Sequence, residues 1–145
     1  GEKLLALCAL WELPGWRYLE HLAVAPEARN GGLGGRFLDG LTADRPCVLE
    51  VELPETDLAR RRIGFYKRNG AKEAGYDMTL FGVPYRVLYW AEQEVDPLQI
   101  ARQHAAVYQN RFARPLYDKY ITIPWSPRDG MPDRVDWAKA EEEFK

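Results

Sequence analysis

The sequence has little of what metal sites and disulfide frameworks require. Its 145 residues include only two cysteines, Cys8 and Cys47, and two histidines, His21 and His104. Structural metal sites usually draw four ligands from closely spaced cysteines and histidines, so no metal is expected here. Both cysteines lie in apolar runs, which predicts reduced thiols in a hydrophobic core.

An excess of one charge and long apolar runs are also lacking. The 20 Lys and Arg residues nearly balance the 22 Asp and Glu residues, leaving a formal net charge of −2 at pH 7. General nucleic-acid binders are usually strongly basic, so no nucleic-acid partner is expected. No stretch is apolar enough to span a membrane, and no secretory signal is visible. We therefore expect a cytoplasmic protein without a membrane partner.

The sequence does contain a cluster of glycines that follows an apolar run. The run from Leu19 to Val24 leads into a turn at Pro26, and four of the five positions 31–35 are glycine. A helix-like segment, Arg36 to Leu41, comes next. Without a Cβ, successive backbone N–H groups can point toward one ligand, and a helix N-terminus adds its dipole. This order predicts a site for a phosphate-bearing ligand.

Two common phosphate-binding patterns do not fit these glycines. A P-loop requires Gly-Lys-Ser/Thr, but Gly35 is followed by Arg36 and Phe37. The dinucleotide pattern Gly-x-Gly-x-x-Gly begins at Gly32 and Gly34, but Phe37 occupies its last position. Another class of phosphate ligand is therefore indicated.

The pattern that does fit is Arg-x-x-Gly-x-Gly, formed by Arg29, Gly32 and Gly34. It resembles the signature of the GNAT superfamily of acetyl-CoA-dependent N-acetyltransferases, Gln/Arg-x-x-Gly-x-Gly/Ala. The resemblance implies that backbone N–H groups here bind the pyrophosphate of acetyl-CoA, the cosubstrate. The implied cofactor-binding residues are Leu22, Ala23, Val24, Arg29, Asn30, Gly31, Gly32, Leu33, Gly34 and Gly35.

A second segment supports the same resemblance. Val48 to Leu53 predicts a short buried strand, and the helix after it has Thr56 or Asp57 as its N-cap and Gly70 at its end. Such a helix resembles the closing GNAT segment, which ends Tyr-x-x-x-Gly-Phe. Tyr66 and Gly70 match that spacing, although Ala71 replaces the aromatic residue. The resemblance implies that Tyr66 is the general acid for the departing thiolate; the alternative is a half-buried core aromatic.

The general base is predicted from the strand that leads into the glycines. Glu20 and His21 are neighbours on this strand, so their side chains point to opposite faces. Family members often carry a Glu or His there, and Glu20 is the preferred candidate; a structural ion pair or a surface carboxylate is the alternative. Glu50 and Glu52 share one face of the next strand and are further candidates. Their alternative is solvent exposure or pairing with arginine.

The resemblance covers about Leu4 to Trp90 and implies the fold and the reaction. We expect a GNAT-like α/β (α+β) fold with a mixed, mostly antiparallel sheet, flanked by helices and splayed near Val24. The implied function is acetyl transfer from acetyl-CoA to a primary amine acceptor, by direct attack in a ternary complex. A transferase of a longer acyl group and an acyl-CoA-binding sensor are the alternatives.

Two regions are expected along the chain. Residues 1–92 would form an acetyl-CoA-binding domain lacking the first strand and two helices of the family, and residues 93–145 a helical extension packed on it. Asp96 and Pro97 open one helix, which Pro115 should end or kink, and Asp133 would cap another. The extension could replace the missing acceptor wall, mediate a homodimer or cover the sheet.

Further residues have both a functional and a structural interpretation. The basic residues Arg60, Arg61, Arg62, Lys67 and Arg68 either attract CoA phosphates or form a solvated helix face. Tyr18 is expected on the face of Glu20, beside the amine. His104 is expected to be a surface or packing residue. Aromatic residues of the extension would line an acceptor pocket or fill the core: Tyr108, Tyr117, Tyr120, Trp125 and Trp137.

Overall fold

The computed structural model describes residues 4–28 and 32–125. Its strands are β1 (Ala6–Leu13), β2 (Trp16–Val24), β3 (Cys47–Glu52), β4 (Lys72–Leu80), β5 (Val83–Trp90) and β6 (Ile121–Trp125). Its helices are α1 (Leu33–Thr42), α2 (Asp57–Arg68), α3 (Pro97–Arg111) and α4 (Arg114–Tyr120), with a 3₁₀ turn at Pro26–Ala28. The six described strands form one sheet in the order β1-β2-β3-β5-β4-β6. The predicted mixed, mostly antiparallel fold is confirmed.

The two faces of the sheet carry separate hydrophobic clusters. Alternation along β3 sends Cys47 and Leu49 to one face and Val48 to the other. The first face packs against α1 and α2 through Leu38 and Ile63. The opposite face is covered by α3 and α4, whose buried residues include Ile100, Ala101, Ala105, Tyr108 and Tyr117. Residues of even number on β3 therefore face the C-terminal helices.

The strands β2 and β3 run parallel, but they are paired over only a short distance. Only Arg17 with Cys47 and Tyr18 with Val48 are in register among the described residues. On the other edge of β2, Ala9 lies opposite His21 whereas Leu10 lies opposite Leu19, so Glu20 is the extra residue of a β-bulge. The splay expected near Val24 thus begins after Tyr18. It opens the sheet from Glu20 onward.

Local sequence signals account for the helix boundaries beside this opening. The Thr56 hydroxyl accepts a hydrogen bond from the Ala59 backbone N–H (3.1 Å) at the start of α2. Gly70, just after α2, is left-handed with φ 97°. The Asp96 carboxylate accepts from the Leu98 N–H (2.8 Å) at the start of α3. These three predicted caps are confirmed.

The C-terminal extension differs from the helical region that was expected. Helix α3 already ends at Arg111, and Pro115 lies in the first turn of α4 instead of ending α3. Residues 121–125 pair antiparallel with β4 and enlarge the sheet. Since β4 offers a free edge and Ile121 and Ile123 alternate into the core, a strand is favoured there. The helix predicted after Asp133 lies outside the described residues.

Both cysteines are free thiols, as predicted. Cys47 is completely buried, and this burial raises the pKa of its thiol to about 12. Burial also raises the pKa of Cys8. None of the described helices has the length and hydropathy needed to cross a membrane.

Candidate functional site

The glycine segment borders a cavity of about 640 Å³ between the end of β2, the start of α1 and helix α2. Six of the ten predicted cofactor-binding residues line it: Leu22, Ala23, Val24, Gly32, Gly34 and Gly35. Leu33 opens α1 without lining the cavity. Arg29, Asn30 and Gly31 lie outside the described residues. We call this space the glycine cavity.

Glycine at two of these positions has a structural reason. Gly32 caps α1 in the left-handed region (φ 77°), which side chains rarely adopt. A Cβ on Gly35 would lie 2.7 Å from the Asn69 Oδ1 atom, so a larger residue at position 35 would force the Asn69 side chain to move. The glycines therefore shape the cavity and also permit helix packing.

The basic residues of α2 divide into two groups. Arg61, Arg62 and Arg68 line the glycine cavity. Arg60 instead forms an ion pair with Asp57, and Lys67 lies 3.7 Å from Glu73. Three arginines around a cavity attract anions, an effect that low-dielectric walls strengthen.

A second cavity, of about 400 Å³, adjoins the first where β2 and β3 separate. Three residues border both cavities: Leu22, Arg62 and Tyr66. Its other lining residues come from β2 to β5 and from the end of α3: Tyr18, Glu20, Glu50, Val51, Glu52, Leu80, Tyr85, Tyr108, Arg111 and Phe112. We call this space the aromatic cavity.

Tyr66 stands at the junction of the two cavities. Its ring centroid lies 5.5 Å from that of Phe65 and 5.8 Å, edge-on, from that of Trp90. Burial raises the pKa of Tyr66, and nearby Arg62 only partly opposes this effect. The hydroxyl is therefore protonated at neutral pH and has a proton to donate into either cavity.

Glu20 lines the aromatic cavity and is also hydrogen-bonded. Its Oε2 accepts from the Trp11 indole N–H (2.6 Å), and its Oε1 lies 3.3 Å from the Arg111 guanidinium. That guanidinium lies over the Trp11 ring, 4.7 Å from its centroid. The structure thus combines the two interpretations of Glu20, a cavity carboxylate and an ion pair.

The Glu50 carboxylate in the aromatic cavity is hydrogen-bonded through both of its oxygens. Its Oε1 accepts from the Tyr18 and Tyr108 hydroxyls, whose oxygens lie 2.8 Å apart. Its Oε2 lies 2.5 Å from the Nε2 of His104, a residue with 0% exposure. On the other side of that ring, the Tyr76 hydroxyl lies 3.5 Å from Nδ1. We call Glu50, Tyr18, Tyr108 and His104 the Glu50 cluster.

Electrostatics fix the protonation of this cluster. Burial alone would raise the pKa of Glu50, but His104 and the two hydroxyls outweigh it, and the pKa of Glu50 is lowered. Burial and the Glu50 charge raise the pKa of Tyr18 and of Tyr108. At neutral pH the cluster therefore holds one ionised carboxylate and two protonated hydroxyls.

The contribution of α3 to this cavity was underestimated from the sequence. His104 was expected to pack or to face solvent. Glu50 was a further candidate for the base, with solvent exposure or pairing with arginine as the alternative. In the structure the two side chains are bonded to each other. The signal was available, since His104, Tyr108 and Arg111 recur at helical spacing on one face of α3.

The other candidates of the extension lie elsewhere. Tyr117 is part of the core, and Tyr120 stacks on Phe81. Trp137 is outside the described residues, and the side chain of Trp125 is not described. Within residues 4–28 and 32–125, no group of three His, Cys, Asp or Glu side chains is arranged to hold a metal.

Three features together characterise the candidate site. Two parallel strands separate, a glycine-rich helix begins at their opening, and a tyrosine lies between two cavities. No family model matches the chain. It is 28% identical over 109 residues to the Bacillus subtilis (strain 168) protein "Putative acetyltransferase YjbC", covering 68% of this chain and 57% of that protein. The predicted resemblance to the GNAT superfamily is therefore supported by sequence.

The fold gives the same result. A solved structure from Bacteroides thetaiotaomicron, described as a "putative acetyltransferase from GNAT family", superposes with a TM-score of 0.59 and 29% identity. The match covers 73% of this chain and 65% of that one. The chain has the GNAT fold and is related to GNAT acetyltransferases, and it spans less than two thirds of the length of either relative.

Proposed function

We propose that this protein is an N-acetyltransferase that moves the acetyl group of acetyl-CoA to a primary amine. The observation that carries the proposal is the junction of the glycine and aromatic cavities at Tyr66. Acetyl transfer needs two substrates to meet at one point, with a proton donor beside the leaving sulfur. Adjoining cavities with a protonated tyrosine between them provide that arrangement.

The glycine cavity is the proposed site of acetyl-CoA. The predicted cofactor-binding residues near it supply backbone N–H groups at the start of α1, and Arg61, Arg62 and Arg68 supply positive charge for the phosphates. Pantetheine would then follow the separation of β2 and β3 toward Tyr66, placing the thioester where the cavities meet.

The proposed reaction is direct attack in a ternary complex. Glu20 takes a proton from the bound ammonium group: an N–H bond breaks and an O–H bond forms. The neutral amine then attacks the thioester carbon, an N–C bond forms, and the C–S bond breaks. The Tyr66 hydroxyl protonates the departing thiolate and is reprotonated by the proton that the new amide releases. One proton leaves to solvent for each acetyl group transferred.

The experiment is a thiol-release assay with the full chain, acetyl-CoA and a panel of amines: lysine peptides, peptide N-termini, diamines and arylalkylamines. We expect thiol release that depends on one class of amine, together with an acetylated product identified by mass spectrometry. Thiol release at the same rate without amine, or none with any amine despite acetyl-CoA binding, would contradict the proposal. The latter result would favour an acyl-CoA sensor.

A further inference from the structure

We propose that the Glu50 cluster is the binding site for the acceptor amine in its ammonium form, with His104 as a positioning residue. The inference deepens the proposed function: it states where the acceptor binds and in which charge state. It also gives α3, a helix outside the resemblance, a direct part in the acceptor site.

The first support is an accounting of hydroxyl protons. Three close contacts join the Tyr18 hydroxyl, the Tyr108 hydroxyl and Glu50 Oε1, but the two hydroxyls supply only two protons. Both protons are therefore used inside the cluster. What remains for the cavity is lone pairs on oxygen, which accept hydrogen bonds and donate none. An ammonium group is a pure donor and complements them.

The second support is the distribution of charge around the aromatic cavity. Arg111 is engaged by Glu20, and Arg62 lies at the junction with the glycine cavity. Glu50 is a largely buried carboxylate, its side chain 12% exposed, and it is paired with the His104 ring. Within the described residues no ion pair involves Glu52, which lines the same cavity. A cation placed there meets negative charge and aromatic faces.

The third support concerns His104 and the far oxygen of Glu50. Nε2 must carry a hydrogen to donate to a carboxylate, and Nδ1 lies 3.5 Å from the Tyr76 hydroxyl. His104 thus holds Oε2, while Oε1 accepts from the two tyrosine hydroxyls. Without it, a buried carboxylate oxygen loses its partner, and the carboxylate loses its orientation.

The test uses butylammonium and 1-butanol as a charged and neutral pair of probes. Their binding to the full chain, without CoA and again with CoA added, is followed by ligand-observed NMR at pH 7. We expect butylammonium to bind at least about tenfold more tightly than 1-butanol, and Glu50→Gln to remove that preference. Equal binding of both probes, or a preference that survives Glu50→Gln, would overturn the inference.

His104 is tested by two substitutions that differ in one property. His104→Gln keeps an N–H donor at about the reach of Nε2, and His104→Leu does not. We expect the glutamine variant to bind butylammonium within about threefold of the unaltered protein and the leucine variant about tenfold more weakly. Equal losses in both would show that His104 acts through packing alone.

Folding is monitored by circular dichroism. If His104→Leu does not fold, Tyr108→Phe is the second variant, because it removes one hydroxyl and keeps the ring. We then expect Tyr108→Phe to weaken butylammonium binding and leave 1-butanol unchanged; no change in either would overturn the inference. Calorimetry with acetyl-CoA reports on the glycine cavity alone. Loss there with butylammonium binding intact would contradict the proposed function without touching this inference.

Discussion

The two cavities differ in how the chain builds them. The glycine cavity is lined by residues close together in sequence, from 22–24 and 32–35, and by α2. The aromatic cavity draws residues from four strands and two helices, between Tyr18 and Phe112. A local sequence motif can indicate a site such as the glycine cavity, whose residues are close in sequence. The aromatic cavity exists only once strands and helices distant in sequence have packed together.

The cavities also differ in charge. The difference has the direction that two substrates of opposite charge require. Three arginines line the glycine cavity, where the phosphates of acetyl-CoA are proposed to bind. Three carboxylates, two arginines and five aromatic rings line the aromatic cavity. If the assignment is right, substitutions in one cavity should affect one substrate and leave the other alone.

The largest effect is expected from a negative charge in the glycine cavity. Gly32→Asp places a carboxylate beside the proposed phosphate site, and acetyl-CoA affinity should fall on the order of 1000-fold, since like charges near 4 Å repel by about 4 kcal/mol near a protein surface. Amine-probe binding should not change. Calorimetry with acetyl-CoA measures the first effect and NMR the second.

Two control variants separate charge from backbone strain. Gly32→Asn has nearly the same shape and the same left-handed conformation without the charge, so it should weaken acetyl-CoA far less. Gly40→Asp adds the same charge elsewhere on α1. A Cβ at position 40 would meet nothing within 4 Å, and Gly40 does not line the cavity. Equal losses of acetyl-CoA affinity in Gly32→Asp and Gly32→Asn would show that backbone strain, and not charge, causes the loss.

The next effect concerns the junction. Tyr66→Phe keeps the ring contacts with Phe65 and Trp90 and removes the proton donor. Amine-dependent thiol release should fall about 100-fold, with the midpoint of urea unfolding nearly unchanged. Tyr85→Phe removes a hydroxyl elsewhere in the aromatic cavity and serves as control. An unchanged turnover number in Tyr66→Phe would exclude Tyr66 as the acid.

A smaller effect should distinguish the two carboxylates of the aromatic cavity. Glu20→Gln removes the proposed base, so kcat should fall about tenfold or more with little change in the KM for amine. Glu50→Gln removes the proposed ammonium partner, so the KM for amine should rise about tenfold. Steady-state kinetics at pH 7 gives both values. The reverse pattern would exchange the two roles.

The smallest effect is a change in stability with pH. The pKa of Glu50 lies below its ordinary value of 4.5 in the folded protein. As pH falls below about 4.5, the carboxylate takes up a proton in the unfolded chain before it does so in the folded protein. The contribution of Glu50 to stability is therefore fully present at neutral pH and is lost as pH falls through its pKa in the folded protein. Urea unfolding of Glu50→Gln should therefore depend less on pH between 6 and 3. An equally steep dependence would mean that Glu50 is not held ionised.

Much of the fold was predictable because its signals are local. Thr56, Gly70 and Asp96 mark helix ends through hydrogen bonds or backbone angles that neighbouring residues decide. The strand at residues 121–125 was not assigned, because its partner β4 lies some forty residues earlier. Whether a short apolar segment becomes a strand depends on such a free edge.

The site follows the same division. Gly32 and Tyr66 stand in recognisable motifs, and they were placed at the cavities that the structure contains. The partnership of Glu50 with His104 joins residues 54 positions apart. Helical spacing indicates that His104 shares a face of α3 with Tyr108, but it does not indicate which strand residue that face meets. Glu20 was selected for its position before the glycines. Its bond to Arg111, across 91 positions, emerged only from the packing of α3.

The decisive measurement is a calorimetric titration of acetyl-CoA, and separately of phosphate-free S-acetylpantetheine, into the 145-residue chain. We expect acetyl-CoA to bind with a dissociation constant that weakens as salt is added, since its phosphates would meet Arg61, Arg62 and Arg68. S-acetylpantetheine should bind much more weakly. No heat of binding with acetyl-CoA, or equal affinity for the two compounds, would contradict the assignment of the glycine cavity and the acetyltransferase function built on it.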